Sequence, residues 1–333
     1  MLAHGAVKIH TMRTTVTRLV AGVCLSISVL GLLAYFSRVD NRYVVALASF
    51  TPFLLSASVI GTVVAAFGRR WILFAASATA LATGVGLFAP LYVPGSTAAA
   101  SKDSTGPTLR IMQSNLMLGL ADPDQIVREV IDRDIDILTV QELTSSALSG
   151  LDAAGLEDLL PYKFTRPTPE GGGGAGIYSR FPLANERELP TFLLWNLSTD
   201  IDVGTGPPIR VYSVHPVPPY PSPTPVWASE MELLKQEVTA SAELPRVIVS
   251  GDFNSTWSHS RFRDIVDVGY TDAAESTGGG VIPTYPTDKA YPALVGIDHI
   301  LSRGMQATSL ERITVDGTDH HGIVAELKTT GQP

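Results

Sequence analysis

The chain has 333 residues, of which 24 are Lys or Arg, 32 are Asp or Glu and 45% are apolar, and its mean hydropathy is +0.20. It is more apolar and less charged than an ordinary soluble protein. Its single cysteine, Cys24, excludes a disulfide framework and any cysteine-based zinc site.

The apolar residues are concentrated near the N-terminus. Uncharged runs of 19, 26 and 31 residues begin after Arg18, Arg42 and Arg70. Each run can cross the ~30 Å hydrocarbon core of a bilayer as a helix. The short basic connections between the runs argue against three helices buried in a soluble core, so residues 1–94 are expected to form a membrane anchor. The expected transmembrane helices are about residues 19–36, 43–67 and 71–93.

Positive charge beside these helices indicates their orientation, because Lys and Arg resist translocation. The N-terminal tail and the second loop hold five Lys or Arg, whereas the first loop and the segment after the third helix hold three. This difference predicts a multi-pass protein of the cell membrane with its N-terminus inside and its remaining residues outside the cytoplasm.

The residues beyond the anchor form a linker and one domain. Residues 95–106 are mostly small or polar and predict the linker, and residues 107–333 have the length of a single domain. The first 94 residues hold seven Lys or Arg and one acidic residue, which leaves 17 basic and 31 acidic residues and a formal charge near −14. Such a domain repels a phosphate backbone, so nucleic acid is not an expected partner.

Strand-like and helix-like segments alternate along this domain. Residues 109–114 predict a strand, and Asp122 followed by Pro123 predicts the start of a helix, because Asp caps helices and Pro favours the first turn. Further predicted segments are strands at 135–140, 193–203, 209–215 and 246–250 and helices at 144–160 and 226–243. The alternation predicts an α/β fold, a sandwich of two mixed sheets with helices outside, preceded by three transmembrane helices.

Polar residues stand where apolar strands end or begin. Strand ends on one edge of a sheet can converge on one pocket. Carboxylate and carboxamide oxygens suit Mg²⁺ or Mn²⁺, and imidazoles suit proton transfer. Each residue alone has a structural alternative, such as a turn or a helix cap, but the set predicts one hydrolytic site. Its members are Asn115, Glu142, His215, Asp252, Asn254, Asp298, Asp319 and His320.

The order of short motifs resembles that of a known superfamily. SN, QE, SRFPL, VHP, GDFNS, IDHIL and TDHHGIVAEL follow one another within about residues 108–328. This order resembles the endonuclease/exonuclease/phosphatase superfamily, which includes DNase I-like nucleases and sphingomyelinases. The resemblance implies a DNase I-like two-sheet sandwich that hydrolyses phosphoric esters with Mg²⁺ or Mn²⁺. The apolar segments also resemble those of a membrane-anchored bacterial branch associated with glycopeptide resistance, whose catalytic domain faces outward.

The resemblance implies a metal site at three of these positions. Glu142 would be the principal metal ligand, with Asn115 beside it and Asp319 supporting the same region. Met117 stands where some relatives carry an additional acidic ligand, so that ligand is absent here. His321 follows the last motif histidine, and it is interpreted as a surface residue rather than a further phosphate contact.

The resemblance also implies catalytic roles for the other five positions. Asp252 and Asn254 would hold the attacking water and a phosphate oxygen. His320 would contact the scissile phosphate, with Asp298 holding the useful tautomer of its ring. His215 would donate to a phosphate oxygen or to the leaving group.

Two loops are candidates for the edge of the site. The glycines at 171–174 lack the lysine of a phosphate-binding nucleotide loop, so a rim or lid beside the pocket is favoured. The proline-rich segment 216–225 next to His215 either contacts the bilayer or a lipid tail, or serves only as a stiff connection.

The acidic domain, the membrane tether and the location outside the cytoplasm favour one function. They predict a divalent-metal-dependent phosphodiesterase or phosphatase that hydrolyses a membrane-associated or lipid-linked phosphate ester or pyrophosphate. The enzymatic alternative is an extracellular metal-dependent nuclease, and the alternative of another class is a non-catalytic membrane receptor on the same fold. The full set of catalytic residue types argues against the receptor. The sequence indicates no protein partner.

Overall fold

A computed structural model describes residues 2–94 and 108–329, with side chains from residue 12 onward. The chain divides into two compact units, one formed mainly by residues up to 89 and the other mainly by residues from 90 onward. The predicted linker at 95–106 lies outside the described residues.

The N-terminal unit is helical. Helices α1 (Leu2–Phe36) and α4 (Trp71–Tyr92) contain stretches long and apolar enough to cross a membrane, Met12–Phe36 with a mean hydropathy of 2.3 and Trp71–Tyr92 with 1.9. The two helices between them are long and apolar enough only when they are taken together as one bent span. Two or three helices can therefore span a bilayer. The helices of this unit are α1 (Leu2–Phe36), α2 (Arg42–Ser49), α3 (Thr51–Phe67) and α4 (Trp71–Tyr92).

The second apolar segment, expected as one helix over 43–67, is bent. Helices α2 and α3 meet at an angle of 63°, with Phe50 between them. Pro52 stands in the first turn of α3. Its ring has no N–H and clashes with the carbonyl four residues earlier, so α2 cannot run on through this position.

The second unit consists of two six-stranded mixed sheets. The strands of the first sheet are β1 (Thr108–Asn115), β2 (Ile137–Gln141), β3 (Tyr162–Arg166), β4 (Ala175–Ser179), β11 (Met305–Ile313) and β12 (Gly322–Thr329). Those of the second are β5 (Leu183–Glu188), β6 (Leu197–Ile201), β7 (Ile209–Val214), β8 (Val247–Asp252), β9 (Thr271–Asp272) and β10 (Asp298–Arg303). The first sheet has the strand order β11-β12-β1-β2-β4-β3 and the second has the order β5-β6-β7-β8-β10-β9.

Each sheet has one parallel pair at its centre, and these pairs position the polar residues. Strands β1 and β2 are parallel, with Asn115 opposite Gln141, and β7 and β8 are parallel in the other sheet. Parallel neighbours end at the same edge, so the residues that follow them are brought together. Strand β10 runs antiparallel to β8, which places its first residue, Asp298, opposite Asp252.

Apolar side chains fill the space between the sheets and a second layer outside the first sheet. The inner cluster includes Ile111, Ile177 and Ile248, and the outer cluster packs helices against β1, β2 and β4. Fully burying one such aliphatic side chain stabilises the fold by roughly 1.5–3 kcal/mol. The helices of this unit are α5 (Pro123–Asp132), α6 (Ser145–Ala153), α7 (Leu156–Leu159), α8 (Thr224–Ala240), α9 (Ser260–Val266) and α10 (Ala273–Thr277).

Two predicted segments are shorter than expected. The single helix expected at 144–160 is divided into α6 and α7, because Gly155 between them has a left-handed backbone with φ of 91°. The strand expected from residue 193 begins at Leu197, and the residues before it form a loop instead. The helix expected after Asp122 is confirmed, and the Asp122 side chain accepts hydrogen bonds from the Asp124 and Gln125 N–H groups.

Candidate active site

The first sheet contributes an amide and a carboxylate to the site. The Asn115 Nδ2 donates to Glu142 Oε1 at 3.2 Å and to Asp252 Oδ2 at 3.0 Å, so it joins residues of both sheets. Glu142 directly follows β2 and has a left-handed backbone with φ of 59°. The Leu118 N–H donates to its Oε2 at 2.6 Å. This conformation is unfavourable for a non-glycine residue and persists only where its surroundings hold it.

The second sheet contributes Asp252, Asn254 and His215. The Asp252 Oδ1 accepts the Asn254 N–H at 2.8 Å, and the Asn254 Nδ2 donates to the Pro216 carbonyl at 3.0 Å. Asp252 is buried, and burial raises its pKa, although the His320 and His215 charges act in the opposite direction. A carboxyl group with a raised pKa is suited to take a proton from water.

Asp298 and His320 form a buried ion pair. The His320 Nδ1 lies 2.8 Å from Asp298 Oδ2, and the Gln113 Nε2 donates to Asp298 Oδ1 at 2.8 Å. Burial by itself lowers the pKa of His320, but the Asp298 and Asp252 carboxylates outweigh it and raise that pKa to about 10. Burial raises the pKa of Asp298, yet the His320 charge and hydrogen bond bring it below its usual value. His320 is therefore a cation at neutral pH. Its Nδ1 is bonded to Asp298, which leaves its Nε2 for other partners.

The two histidines lie close to the same carboxylate oxygen. The His215 Nε2 is 3.6 Å from Asp252 Oδ2, and the His320 Nε2 is 3.7 Å from the same atom. These distances are too long for hydrogen bonds, so each ring nitrogen retains the capacity to bond a substrate oxygen. A phosphate group beside Asp252 would meet donors from both rings.

Asp319 is half-buried beside these groups. Burial raises its pKa, the His320 charge lowers it, and the Glu142 charge raises it again, with a net upward shift. Two carboxylates that repel one another in a partly open position form a suitable cation site, and oxygen donors suit Mg²⁺ or Mn²⁺. Asn115, Glu142 and Asp319 thus carry oxygen atoms of the type expected for the metal ligands, although the Asn115 Oδ1 accepts the Met117 N–H at 2.9 Å and the Nδ2 is the atom that faces Glu142.

A second cluster of potential metal ligands also occurs within the described residues. One ligand atom each from Asp252, Asp298 and His320 lie within 4.8 Å of one another. Here the Asp298 oxygens already accept hydrogen bonds from Gln113 and His320. His320 in this group is protonated and pairs with Asp298, so its ring offers no lone pair to a metal ion, and a divalent ion fits the Glu142 side better.

Several residues of the site were not singled out from the sequence. Gln113 lies two residues before Asn115 on the same face of β1, and this period of two was the available signal. The Asn196 side chain bonds both the N–H and the carbonyl of His215, at 2.7 and 3.2 Å. The Tyr285 ring lies 4.9 Å from the His320 ring, centroid to centroid. No sequence pattern pointed to Asn196 or Tyr285.

The glycine segment lies beside the metal ligands. A Cβ on Gly172 would be 3.2 Å from the Glu142 carboxyl group, and the Gly173 carbonyl accepts the Trp195 N–H at 2.8 Å. Close approach to the acid therefore explains a residue without a side chain at position 172. The segment is a rim of the site, as expected.

Neither of the two histidines adjacent in sequence to the site residues joins the network. The His299 Nδ1 lies 2.7 Å from Asp272 Oδ2, and its ring packs at an angle of 34° against the Phe262 ring, with centroids 4.1 Å apart. The His321 Nδ1 lies 3.1 Å from the Thr314 hydroxyl in a partly exposed position.

Solved structures with the same fold confirm the sandwich. A humanised D. rerio TDP2 is 18% identical, with a TM-score of 0.54, and the match covers 67% of this chain and 99% of that one. An endonuclease/exonuclease/phosphatase from Beutenbergia cavernae is 18% identical, with a TM-score of 0.53, and the match covers 68% of this chain and 72% of that one. The 3′ phosphatase NExo from Neisseria is 18% identical, with a TM-score of 0.52 and coverage of 66% and 99%. No curated protein matches the chain.

The sequence profile of one family covers most of the second unit. The profile of the Endonuclease/Exonuclease/phosphatase family matches residues 112–320, which include every candidate site residue. The match spans more than half of the chain. The chain therefore belongs to the Endonuclease/Exonuclease/phosphatase family.

Proposed function

We propose that the chain is a divalent-metal-dependent phosphodiesterase or phosphatase that hydrolyses a membrane-associated or lipid-linked phosphate ester or pyrophosphate outside the cytoplasm. Members of its family are phosphoesterases, which supports the reaction class. The observation that carries the proposal is that the His215 and His320 Nε2 atoms both lie within 3.7 Å of Asp252 Oδ2.

The side chains divide the work of phosphate ester hydrolysis. Asp252, whose pKa is raised by burial, takes a proton from the attacking water. The cationic His320 donates from Nε2 to a phosphoryl oxygen and stabilises the charge that grows there. His215 donates to a second oxygen or to the leaving alcohol, and Asn254 orients the phosphate through its remaining amide N–H. Asp298 keeps His320 protonated at Nδ1.

Glu142, Asn115 and Asp319 would hold the divalent ion. A bound Mg²⁺ or Mn²⁺ supplies a positive charge that offsets the charge on phosphoryl oxygens. Without such a cation, the Glu142 and Asp319 carboxylates would repel one another and oppose an anionic substrate. The Leu118 N–H and the Asn115 amide orient the Glu142 carboxylate for this role.

Charge and membrane attachment support a lipid-borne substrate. The residues after the anchor carry a formal charge near −14, and two or three of the preceding helices are apolar enough to span a bilayer. A tethered enzyme meets lipid substrates at a high effective concentration without any new contact. The excess of Lys and Arg in the N-terminal tail and second loop supports the orientation with the catalytic residues outside.

An extracellular nuclease is the second candidate. It is favoured by structural neighbours described with DNA, D. rerio TDP2 with a single-strand DNA product and NExo with a product DNA hairpin. Both are under 20% identical to this chain, and the acidic composition opposes binding of a phosphate backbone.

The test uses the full chain in phosphatidylcholine nanodiscs with Mg²⁺. We expect phosphate release from a lipid phosphate monoester or a polyprenyl pyrophosphate, or headgroup release from a phosphodiester lipid, and intact plasmid DNA. The His320→Ala variant should be inactive, while His321→Ala provides a matched control at the next residue. Rapid nicking of plasmid by the wild type, with no action on the lipids, would replace this proposal by the nuclease.

Sidedness is tested separately. Protease added to intact cells should cleave the chain beyond the anchor without lysis. Protection until the cells are opened would place the catalytic residues inside.

A further inference from the structure

A buried carboxylate joins two loops at the edge of the site. Glu230 on α8 is only 2% exposed, and its Oε1 and Oε2 accept the Leu193 N–H at 2.9 Å and the Val217 N–H at 2.8 Å. Leu193 lies in the loop before β6 and Val217 in the proline-rich loop after β7. Burying a carboxylate is unfavourable unless it is hydrogen-bonded, so these two bonds tie both loops to α8.

Both loops are also attached to the catalytic residues. Asn196, at the end of the first loop, bonds the backbone of His215 on both sides. The backbone N–H of Trp195 donates to the carbonyl of Gly173, which is next to the glycine that approaches Glu142. The loops therefore have fixed positions around the site.

A third segment, after β1, holds an apolar residue on the metal side. The Leu118 N–H donates to Glu142, and Met117 and Leu118 both have left-handed backbones, with φ of 43° and 54°. Such conformations persist only where the surroundings enforce them. The Leu118 side chain is 49% exposed.

The side chains that these segments present to solvent are large and apolar. We call Leu118, Leu193, Trp195 and Tyr220 the apolar rim. Leu193 is 70% exposed, Tyr220 is 73% exposed and Trp195 is 37% exposed. Single exposed apolar residues need no explanation, but several such residues on segments that are hydrogen-bonded to one site form a candidate binding surface.

We propose that the apolar rim binds the hydrocarbon chain of the substrate while the catalytic residues bind its phosphate. This inference rests on the proposed function and specifies how the substrate is recognised. Two of the four rim residues are aliphatic, which suits an alkyl or prenyl chain. A nucleobase would stack on Trp195 and Tyr220, but single-stranded nucleic acid also requires a positively charged groove, and the chain beyond the anchor is strongly acidic.

Binding of two uncleavable probes tests the rim. The full chain in nanodiscs with Mg²⁺ is titrated with octyl phosphonate and with methyl phosphonate, which share a headgroup and differ in chain length. The wild type should bind octyl phosphonate at least tenfold more tightly. Leu193→Ser combined with Tyr220→Ser should remove most of this preference and leave methyl phosphonate binding unchanged. Ile131→Ser, at a 56% exposed apolar residue on α5, is the matched control and should keep the preference.

Contact is measured independently of affinity. An 8-bromooctyl phosphonate should quench tryptophan fluorescence more in the wild type than in Trp195→Phe, because bromine quenches only at close range. Equal affinity of the two phosphonates for the wild type, or an unchanged preference in the double variant, overturns the rim while leaving the proposed function standing. If neither phosphonate binds and a thymidine oligonucleotide binds in a rim-dependent way instead, both the rim proposal and the proposed function are overturned.

Discussion

Replacing Gln113 with leucine should destabilise the second unit, because this buried amide supports the Asp298 carboxylate. Its Nε2 donates to Asp298 Oδ1 at 2.8 Å and to Gln141 Oε1 at 2.7 Å, and both acceptors are buried. Leucine has a similar size but no donor, so both acceptors lose a partner. The Asp298 carboxylate would then be buried beside His320 with one oxygen lacking its hydrogen bond.

The magnitude follows from the types of the lost bonds. A hydrogen bond to a charged group contributes about 1.5–3 kcal/mol, and an unpaired neutral acceptor costs about 1–3 kcal/mol. The Gln113 Oε1 is itself buried without a hydrogen-bond partner among the described residues, so its removal offsets part of the loss. We expect a net decrease of about 2–4 kcal/mol in the free energy of unfolding.

A matched control lies between the same two sheets. The Thr139 and Ser250 hydroxyls are 2.7 Å apart and buried. The double variant Thr139→Val, Ser250→Ala removes both partners, so it should change stability little. The contrast separates a carboxylate that loses its donor from a neutral pair that is deleted together.

The assay is urea unfolding of the full chain in nanodiscs, followed by tryptophan fluorescence in a Trp71→Phe background. The other three tryptophans lie in the second unit, and Trp227 is almost fully buried there, so the signal reports on the sandwich. A decrease below about 1 kcal/mol for Gln113→Leu would refute the reasoning, because it would show that Asp298 does not depend on this donor.

Three further predictions concern catalysis, the metal and pH. Turnover of the lipid phosphate, measured by phosphate release, should fall at least a thousandfold in His320→Ala and stay within about threefold of wild type in His321→Ala. Equal losses in the two variants would place His321 in the site. A chelator should abolish turnover, and added Mg²⁺ should restore it. The Glu142→Gln variant should need more Mg²⁺ than the wild type for half-maximal activity. Activity that persists in the presence of chelator would remove the metal from the proposal. Burial lowers the pKa of His299, but the Asp272 carboxylate outweighs burial and raises that pKa above 6.5. The protonated His299 therefore stabilises the fold fully below pH 6.5, and this stabilisation is lost as the pH rises through the pKa of the folded state. Unfolding of His299→Gln should therefore depend less on pH above 6.5 than that of the wild type, and identical pH profiles would contradict this assignment.

The spacing of residues explains how far the sequence alone could predict the site. Asn115, Asp252 and Asp298 each stand at the end or start of an apolar strand, and the strand pattern predicts that such positions share an edge. The contacts among Asn115, Glu142, Asp252, Asp298 and His320 agree with that prediction. The metal ligands, the substrate and the sidedness of the membrane remain predictions.

Other features depended on the three-dimensional arrangement. Glu230 lies within the buried face of α8, between Trp227 and Met231, so its position in an apolar stripe was a signal in the sequence. The backbone groups that it binds belong to loops more than ten residues away along the chain. No local pattern specifies such partners.

The sequence by itself determined the apolar segments, the alternation of strands and helices and the chemical types of the site residues, because these depend on composition and on short periods along the chain. Only the tertiary structure decided which amide faces which carboxylate and where the apolar rim lies. Those features arise from contacts between distant parts of the chain. Their geometry is fixed when the two sheets pack together and the helices and loops close around them.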